Sequence, residues 1–376
     1  MNLFCLFIRN KKQRDSFRCG MNRFLWRCFL TDFIQVRRFR ASKVQNRFLL
    51  VEVNDFHAEV IAGYLAYFQQ SGYAVDVLIN AKIEKEKPFV RQDMQKVNVF
   101  SCGAYGIRKI LNSEKLNEYK CIFIMSAILY PSYVLDEYRK LKYLKNICVV
   151  EHDLKDVKSH QEEDLCEKGR LITLGKFNRG VFVNPCRFGQ VAYTEKNKET
   201  RFIVVGAINA AFKNHQILID AIKELSARGK SFKVVVIGSG KLRCLPENVA
   251  AHIEFKGRLS FPKMFDELEK ADFYLPLLDD LNEKHKRYVT TGVTGSAQLI
   301  YAFAKIPVIQ TYFADFYRFT DENAVLYASE LTKAMADAID VLPEQYKKMQ
   351  AALIRTADAI RSESESNLEK ILGRGK

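Results

Sequence analysis

The residues best suited to chemistry lie in a loop of threonines and glycines, Thr290-Thr-Gly-Val-Thr-Gly-Ser296, that opens an apolar helix predicted over about 296–304. Such a loop leaves several backbone N–H groups of the helix unpaired, and the aligned peptide dipoles place partial positive charge at the same point. That end of a helix is a natural binding site for phosphate. Thr294, Gly295 and Ser296 are therefore candidate anion-binding residues. The alternative is that Thr294 or Ser296 only caps a core helix.

Two histidines are candidates for acid–base chemistry. His152 lies in Glu151-His152-Asp153, directly after a predicted strand, and a neighbouring carboxylate can fix the tautomer of an imidazole. The alternative is that His152 caps or turns a loop. His57 follows the first predicted strand at the start of a helix, where the positive end of the dipole disfavours a charged imidazole. We therefore expect His57 to act in its neutral form.

The elements that must position these residues predict an α/β fold. Continuous apolar runs, separated mostly by polar segments of helical length, predict strands at Phe48–Val53, Ala74–Ile79, Val97–Phe100, Cys121–Met125, Ile147–Val150 and Leu171–Leu174. Runs of this kind are typical of parallel strands that are buried on both faces. The opening strand, helix and strand begin a doubly wound sheet, in which ligands bind at the carboxyl ends of the strands.

A second αβ repeat follows. Its elements are strands at Arg201–Gly206, Ile253–Gly257, Phe273–Leu277 and Ile306–Gln310, a strand that begins at Phe232 and runs into a tight Gly238-Ser-Gly240 turn, and helices at His215–Ala227 and Phe261–Lys270. Each strand is followed by a helix or a phosphate-sized loop, so this sheet should also be parallel.

The predicted domains follow from these repeats. They are a basic N-terminal arm (1–47), a first Rossmann-like domain (48–182), a second Rossmann-like domain (183–345), and a C-terminal helix and tail (346–376).

Five motifs in the second repeat appear in a recognisable order. They are Gly206 with Lys213-Asn214, Val236-Ile-Gly-Ser-Gly240, Phe255-Lys-Gly257, Ala271-Asp-Phe-Tyr-Leu-Pro276 and Ala304-Lys-Ile-Pro-Val-Ile309. By these motifs and the order of its elements, the chain resembles the GT-B glycosyltransferases, in particular the bacterial surface-polysaccharide type (glycosyltransferase family 4, or group 1). The resemblance covers about 48–345 and is strongest over 201–310.

The resemblance implies two Rossmann-like domains that face each other across a cleft. It implies transfer of a sugar from a UDP- or GDP-linked donor to a hydroxyl of a glycan or lipid-linked acceptor, in envelope polysaccharide synthesis. No cofactor or metal is expected, and the chain has no Asp-x-Asp motif. Under this resemblance the donor-binding residues are Gly206, Lys213, Gly238, Gly240, Thr294, Gly295, Ser296 and Gln298, and acceptor activation falls to His152 first and His57 second.

Charge on the leaving diphosphate would be met by Lys213 and by the amides of Thr294–Ser296. The alternative for Lys213 is a solvated surface lysine. The basic run Lys284–Arg287 would add charge to the same pocket, or would simply face solvent.

The chain departs from the family at one important point. Retaining members of the family carry two glutamates eight residues apart, and the corresponding positions here are Thr290 and Gln298. Gln298 is still able to hydrogen-bond a ribose hydroxyl, since an amide both donates and accepts. Because the negative charge is missing, the alternative function is a non-catalytic GT-B-like binding subunit of an envelope-assembly complex.

The net charge of +15 is concentrated at one end of the chain. Residues 1–47 hold twelve Lys or Arg and two Asp, a net charge of +10, so the remaining residues carry only +5. A nucleic-acid binder would show interleaved aromatic and basic residues across a sheet face, and the rest of the chain lacks them. We therefore expect no nucleic-acid partner.

Residues 22–40 form a predicted basic amphipathic helix. One side carries Phe24, Leu25, Cys28, Phe29, Val36 and Phe39, while the arginines Arg23, Arg27, Arg37 and Arg38 gather on the other side, together with Leu30 and Ile34. A helix of this kind is typical of contact with an anionic membrane surface, with Trp26, the only tryptophan, as an interfacial anchor. The alternative is a disordered or mis-started leader, with Met21 as the true start.

The remaining composition favours the cytoplasm, or the inner face of the plasma membrane. Nine cysteines include no Cys-x-x-Cys pair, which is typical of reduced thiols. Met1–Ile8 is short and runs into basic residues, so we do not interpret it as a signal peptide. The longest uncharged runs, Cys121–Leu135 and Tyr288–Ala304, are shorter than the ~20 residues that span a bilayer.

Overall fold

Two parallel sheets form the frame of the molecule. The computed structural model describes residues 30–54, 57–126, 135–209, 213–240, 242 and 245–373. The strands are β1 (Arg47–Glu52), β2 (Ala74–Asn80), β3 (Val97–Cys102), β4 (Cys121–Ile124), β5 (Ile147–Glu151), β6 (Leu171–Thr173), β7 (Val181–Phe182), β8 (Thr200–Val205), β9 (Phe232–Ile237), β10 (Ile253–Gly257), β11 (Phe273–Tyr274), β12 (Ile306–Gln310) and β13 (Val325–Tyr327).

The first sheet has the order β3-β2-β1-β4-β5-β6-β7 and the second the order β10-β9-β8-β11-β12-β13. Neighbouring strands are parallel in both sheets. The predicted α/β fold with two doubly wound parallel sheets is confirmed.

The helices are α1 (30–41), α2 (Ala58–Gln70), α3 (Ala81–Glu84), α4 (Ala104–Leu111), α5 (Leu135–Leu141), α6 (Glu163–Glu167), α7 (His215–Ala227), α8 (Glu247–Ala250), α9 (Phe261–Lys270), α10 (Glu283–Lys286), α11 (Gly295–Phe303), α12 (Thr311–Ala314), α13 (Leu331–Asp340) and α14 (Pro343–Ile371). Most of the helices lie between successive strands, whereas α1 precedes the first strand and α13 and α14 follow the last one.

The continuous apolar character of the strands reflects burial on both faces. Phe48 and Leu50 of β1 pack into a core with α2, whereas Leu49 and Val51 pack into a second core with α1 and α4. Successive side chains of a strand point to opposite faces, so a strand between two layers of helices needs apolar residues at every position.

One predicted strand is shorter in the structure than in the sequence pattern, whereas another ends as predicted. The strand that begins at Phe232 ends at Ile237, where it runs into the predicted Gly-Ser-Gly turn, and Gly238 in that turn has a φ of 155°. The strand predicted over Phe273–Leu277 ends at Tyr274. Pro276 has no N–H to donate to a neighbouring strand.

The last helix ties the two domains together. The predicted helix Tyr346–Ile360 continues to Ile371 as α14, so the segment that followed it is not a loose tail. The Tyr346 hydroxyl donates to the carbonyl of Asp272 in the second domain at 3.2 Å. Farther along the helix, Ser364 Oγ accepts the backbone N–H of Asn184, after β7, at 3.0 Å.

The predicted basic arm is described only in part, since 1–29 lie outside the described residues. Helix α1 packs onto the first domain, with Phe39 0% exposed against Phe100 at a ring-centroid distance of 5.3 Å. The side of the helix that was predicted to be apolar therefore faces the protein core. Among the described residues, no helix is both long enough and apolar enough to cross a membrane.

Candidate functional site

A cavity of about 430 Å³ lies between the two domains. Seven of the ten predicted site residues line it, namely His57, Gly206, Lys213, Gly238, Thr294, Gly295 and Ser296. His152, Gly240 and Gln298 do not. The carboxyl ends of strands from both sheets thus contribute to one cleft, as is usual for doubly wound sheets.

Lys213 is a buried cation at this cavity. Its side chain follows β8, is 5% exposed, and donates from Nζ to the carbonyl of Pro276 at 2.9 Å and to Ser296 Oγ at 3.1 Å. Among the described residues it forms no ion pair with a carboxylate. Burial lowers the pKa of Lys213 to about 7. A buried ammonium without a counter-ion gains most from an anionic ligand, so the alternative of a solvated surface lysine is wrong.

The start of α11 supplies hydrogen-bond donors at the same place. Thr294 Oγ1 accepts the N–H of Ser296 at 3.3 Å and so caps the helix, whereas the N–H of Gly295 has no acceptor among the described residues. Ser296 Oγ accepts from Lys213 and, at 3.2 Å, from the hydroxyl of Tyr274. Its own hydroxyl proton is therefore left for a ligand. Capping leaves the N–H of Gly295 available for an anion, because the cap uses the N–H of Ser296.

Gly206 and Gly238 allow two close contacts at the cavity. The loop after β9 packs against the loop after β8, and the side chain of Lys213 packs against Gly206. A Cβ on Gly238 would lie 1.8 Å from the carbonyl oxygen of Gly206, and a Cβ on Gly206 would lie 2.9 Å from Cε of Lys213. Gly206 and Gly238 have φ values of 131° and 155°, which favour glycine. Gly240 packs instead against Ile208, away from the cavity, so its role is to shape the turn.

His57 and Glu59 form a pair on the opposite wall of the cleft. Nδ1 of His57 lies 3.3 Å from Oε1 of Glu59, and both residues line the cavity. The backbone of His57 is left-handed, with a φ of 62°, a strained conformation that is common at functional positions. Burial by itself lowers the pKa of His57, but the hydrogen bond and charge of Glu59, with the charge of Glu52, raise it above its usual value. This effect of Glu59 opposes the effect of the helix dipole on which our expectation of a neutral His57 was based, and that expectation stays a prediction.

His152 lies behind His57. Their ring centroids are 4.6 Å apart, and Nε2 of His152 faces the carbonyl of Met125 at 3.0 Å. Burial and, to a smaller extent, the adjacent His57 lower the pKa of His152 to about 4. The carboxylate of Glu151 contacts the backbone N–H of His152 rather than its ring. His152 thus packs against His57 and does not line the cavity, and its predicted role in acceptor activation stays a prediction.

A buried carboxyl completes this cluster. Glu52, at the end of β1, is 0% exposed and accepts the hydroxyl of Ser126 at 2.6 Å and the backbone N–H of Asn54 at 2.9 Å. Burial raises the pKa of Glu52 to about 7. A carboxyl group with this pKa is partly protonated near neutral pH, so it contributes only part of a charge beneath His57.

The two positions that replace the glutamate pair lie apart from the cavity. Gln298 is 1% exposed, and neither its amide nitrogen nor its amide oxygen has a hydrogen-bond partner among the described residues. Thr290 is exposed and donates to the carbonyl of Lys286 at 3.2 Å. The predicted hydrogen bond from Gln298 to a ribose remains a prediction.

The basic run before the glycines does not add charge to the cavity. Lys284 is exposed, and Lys286 pairs with Glu283 at 2.6 Å. Arg287 instead contacts Asp153 of the first domain at 3.3 Å and covers the ring of Tyr288 at 4.9 Å. Its role is therefore to join the two domains.

Sequence reasoning missed residues whose importance depends on contacts across the cleft. Arg258 after β10 pairs with Glu86 after α3 at 2.6 Å, and both line the cavity. No local pattern marks either residue. The sequence does contain a signal for Glu59, which is an acidic residue two positions after His57, in the first turn of the helix that His57 precedes.

One group of side chains has the composition of a metal site. Ligand atoms of Glu151, His160 and Glu162 lie within 4.8 Å of one another. However, Nζ of Lys142 lies 2.8 Å from Oε1 of Glu162, and the pKa of His160 is raised by Glu151 in spite of burial. Basic groups of the protein, Lys142 and His160, thus already lie against these carboxyl groups, and burial raises the pKa of Glu162 to about 8.

The comparisons with known proteins agree with this architecture. Residues 199–345 match the family described as Glycosyl transferases group 1, and no curated protein matches the chain. A glycosyltransferase from Rickettsia africae is 10% identical, with a TM-score of 0.54, over 87% of this chain and 98% of its own. Sucrose-phosphate synthase from Thermosynechococcus elongatus is 11% identical, with a TM-score of 0.53, over 88% and 99%. An alpha-glucosyltransferase solved with UDP and a 13-mer DNA is 15% identical, with a TM-score of 0.50, over 86% and 95%.

At these identities the structural likeness shows the fold, which is the GT-B fold. Together with the family match it supports glycosyl transfer in general.

Proposed function

Because the chain has the GT-B fold and residues 199–345 match the group 1 glycosyltransferases, we propose that it transfers a sugar from a nucleoside-diphosphate sugar to a hydroxyl of a glycan or lipid-linked acceptor. The observation that carries the proposal is the buried ammonium of Lys213 beside the open start of α11. Envelope polysaccharide synthesis is the process that this substrate class suggests.

The positive charge of Lys213 and the donors of α11 indicate where the sugar donor binds. We assign the diphosphate to the position between Lys213, the N–H of Gly295 and the hydroxyl of Ser296, which all line the cavity. When the bond from the anomeric carbon to the diphosphate oxygen breaks, negative charge grows on that oxygen. Donors that are already positioned there stabilise this charge most in the transition state. In this proposal Lys213 and the two α11 donors fill this role without a metal ion.

The residues on the opposite wall of the cleft indicate how the acceptor is activated. We assign His57 as the base that receives the proton of the acceptor hydroxyl, while the acceptor oxygen bonds to the anomeric carbon and the nucleoside diphosphate leaves. Glu59 holds Nδ1 of His57 and stabilises the imidazolium that forms. His152 supports the ring of His57 from behind.

A panel of UDP- and GDP-linked sugars tests the proposal. We expect at least one donor to raise the melting temperature of the wild-type protein and to be hydrolysed slowly. Lys213→Met should remove both effects. Lys305→Met is the matched control, since Lys305 is equally buried but lies outside the cavity and donates to the carbonyl of Glu269. Unchanged melting with every donor would overturn the proposal.

A second candidate function rests on the missing glutamate pair. Thr290 and Gln298 occupy the two positions, so neither position carries a carboxylate. Neither residue lines the cavity. A non-catalytic binding subunit of an envelope-assembly complex would bind a nucleotide through Lys213 but would not hydrolyse or transfer the sugar. Nucleotide binding that depends on Lys213, without turnover of any donor, would favour this alternative.

A further inference from the structure

Helix α1 is held rigidly on the first domain by a carboxylate. Asp32 of α1 accepts the backbone N–H of Gly103 at 2.7 Å and of Gly106 at 2.8 Å, and so caps the start of α4. Val36 and Phe39, one and two turns farther along α1, are buried in the core beneath. The relative position of the two helices is therefore determined by contacts with the protein.

Because this inner side is used for packing, the outer side of α1 presents other apolar residues. Leu30, Phe33 and Ile34 are 55%, 59% and 47% exposed, and Tyr105 of α4 beside them is 44% exposed. Among the described residues, eleven large hydrophobic side chains are exposed, and four of them lie on these two helices. Such clustering marks an interaction surface, whereas single exposed apolar residues need no explanation.

The same surface is basic. Arg37 and Arg40 of α1 and Lys109 of α4 line a shallow groove of about 190 Å³ together with Phe33 and Tyr105. No acidic residue lines this groove. The one carboxylate of α1, Asp32, is 4% exposed and is occupied by the two N–H groups of α4.

We propose that this surface, formed by Leu30, Phe33, Ile34, Arg37, Arg40, Tyr105 and Lys109, binds the face of an anionic lipid bilayer. The apolar side chains enter the boundary between headgroups and acyl chains, and the cations pair with lipid phosphates. Aliphatic side chains such as Leu30 and Ile34 argue against a nucleic acid as the partner, because a phosphate-rich polymer would leave them in contact with water or charge. Helix α4 begins at the carboxyl end of β3, so the surface starts from the same edge of the first sheet that carries His57.

Sedimentation of the full chain with lipid vesicles tests this proposal. We expect binding to vesicles that contain phosphatidylglycerol, little binding to phosphatidylcholine alone, and weaker binding as salt rises. Arg37→Gln with Arg40→Gln should weaken binding about 25-fold, since each basic residue near the surface contributes about fivefold. Phe33→Ser with Ile34→Ser should also weaken it at least tenfold. The control is Leu342→Ser with Lys347→Gln, an exposed apolar residue just before α14 and an exposed basic residue in it, which should bind like the wild type.

A fluorescence measurement separates this surface from the basic residues 1–29. In a Trp26→Phe background, Phe33→Trp should shift its emission to the blue with anionic vesicles, and Leu342→Trp should not. Wild-type binding by both double variants, or vesicle binding without a blue shift at position 33, would overturn the proposal. Absence of binding to any vesicle would overturn it equally.

Discussion

The ammonium nitrogen of Lys213 lies 3.1 Å from the hydroxyl oxygen of Ser296, although 83 residues separate the two in the sequence. Lys213 lies in the loop after β8, two residues before α7, and Ser296 is the second residue of α11. Their contact brings a buried positive charge to a helix start with unpaired donors, at the bottom of the cleft between the domains. The proposed donor site depends on this contact.

Replacing Lys213 by methionine should weaken donor binding about 10- to 100-fold. The reason is the loss of a charge-assisted hydrogen bond, which contributes about 1.5–3 kcal/mol. The unliganded variant should be at least as stable as the wild type at neutral pH, because methionine removes a buried charge without a counter-ion. Calorimetric titration and thermal melting check the two effects. An unchanged affinity in Lys213→Met, or a similar loss in Lys305→Met, would contradict the assignment.

Donor binding should take up a proton near pH 8. The pKa of Lys213 is about 7 in the free protein, so most Lys213 side chains are neutral amines at about pH 8. A bound diphosphate raises this pKa, and the amine therefore takes up a proton when the donor binds. Titrations in two buffers with different heats of ionisation measure the uptake, which should vanish near pH 6 and in Lys213→Met. Identical heats in both buffers at about pH 8 would argue against it.

The same pKa shift predicts how stability depends on pH. Between about pH 7 and the ordinary lysine value of 10.5, the unfolded chain holds the Lys213 proton and the folded chain does not. Stability of the wild type should therefore rise with pH through this window, relative to Lys213→Met. Urea denaturation of both proteins across this range measures the difference. A constant difference in unfolding free energy would show that the lysine is solvated.

Glu59→Gln should move the acid limb of the kcat/KM profile to lower pH. Glu59 raises the pKa of His57, and without the carboxylate the lowering effect of burial remains. His57→Gln should remove the limb and lower kcat about 10²- to 10⁴-fold, the usual contribution of a general base. Glu86→Gln, a carboxylate on the same wall paired with Arg258, should leave the position of the limb unchanged. An acid limb that stays in place in His57→Gln would assign the base elsewhere.

Gly238→Ala should destabilise the protein far more than Gly229→Ala. Both glycines have positive φ values, but a Cβ on Gly238 would lie 1.8 Å from the carbonyl oxygen of Gly206, whereas nothing lies within 4 Å of one on Gly229. We expect about 1 kcal/mol for Gly229→Ala from backbone strain, and more than about 3 kcal/mol for Gly238→Ala. Thermal melting compares the two variants, and equal losses would show that the loops after β8 and β9 do not need this close approach.

The elements of the second domain could be predicted closely from the sequence. The helices α7 and α9 and the strands β10 and β12 have the predicted bounds, because their apolar periodicity and their terminating residues are local properties. Placement of Gly206, Lys213 and Ser296 near one edge followed from the rule that loops after parallel strands share that edge.

The tertiary structure decided which candidates meet at the cleft. His57 and His152 both follow strands of the first sheet, yet only His57 lines the cavity, because the ring of His152 turns towards the carbonyl of Met125. The pKa of His57 depends on Glu59, Glu52 and burial, which a dipole argument from sequence position did not contain.

The same limit applies to contacts between distant segments. The pair of Glu86 and Arg258 joins two domains, and α1 turns Val36 inwards and Phe33 outwards because Asp32 fits the start of α4. Local periodicity determines which residues form a helix or a strand. Which face of a helix is buried, and which charges meet, depends on how the two sheets and their helices pack together in space.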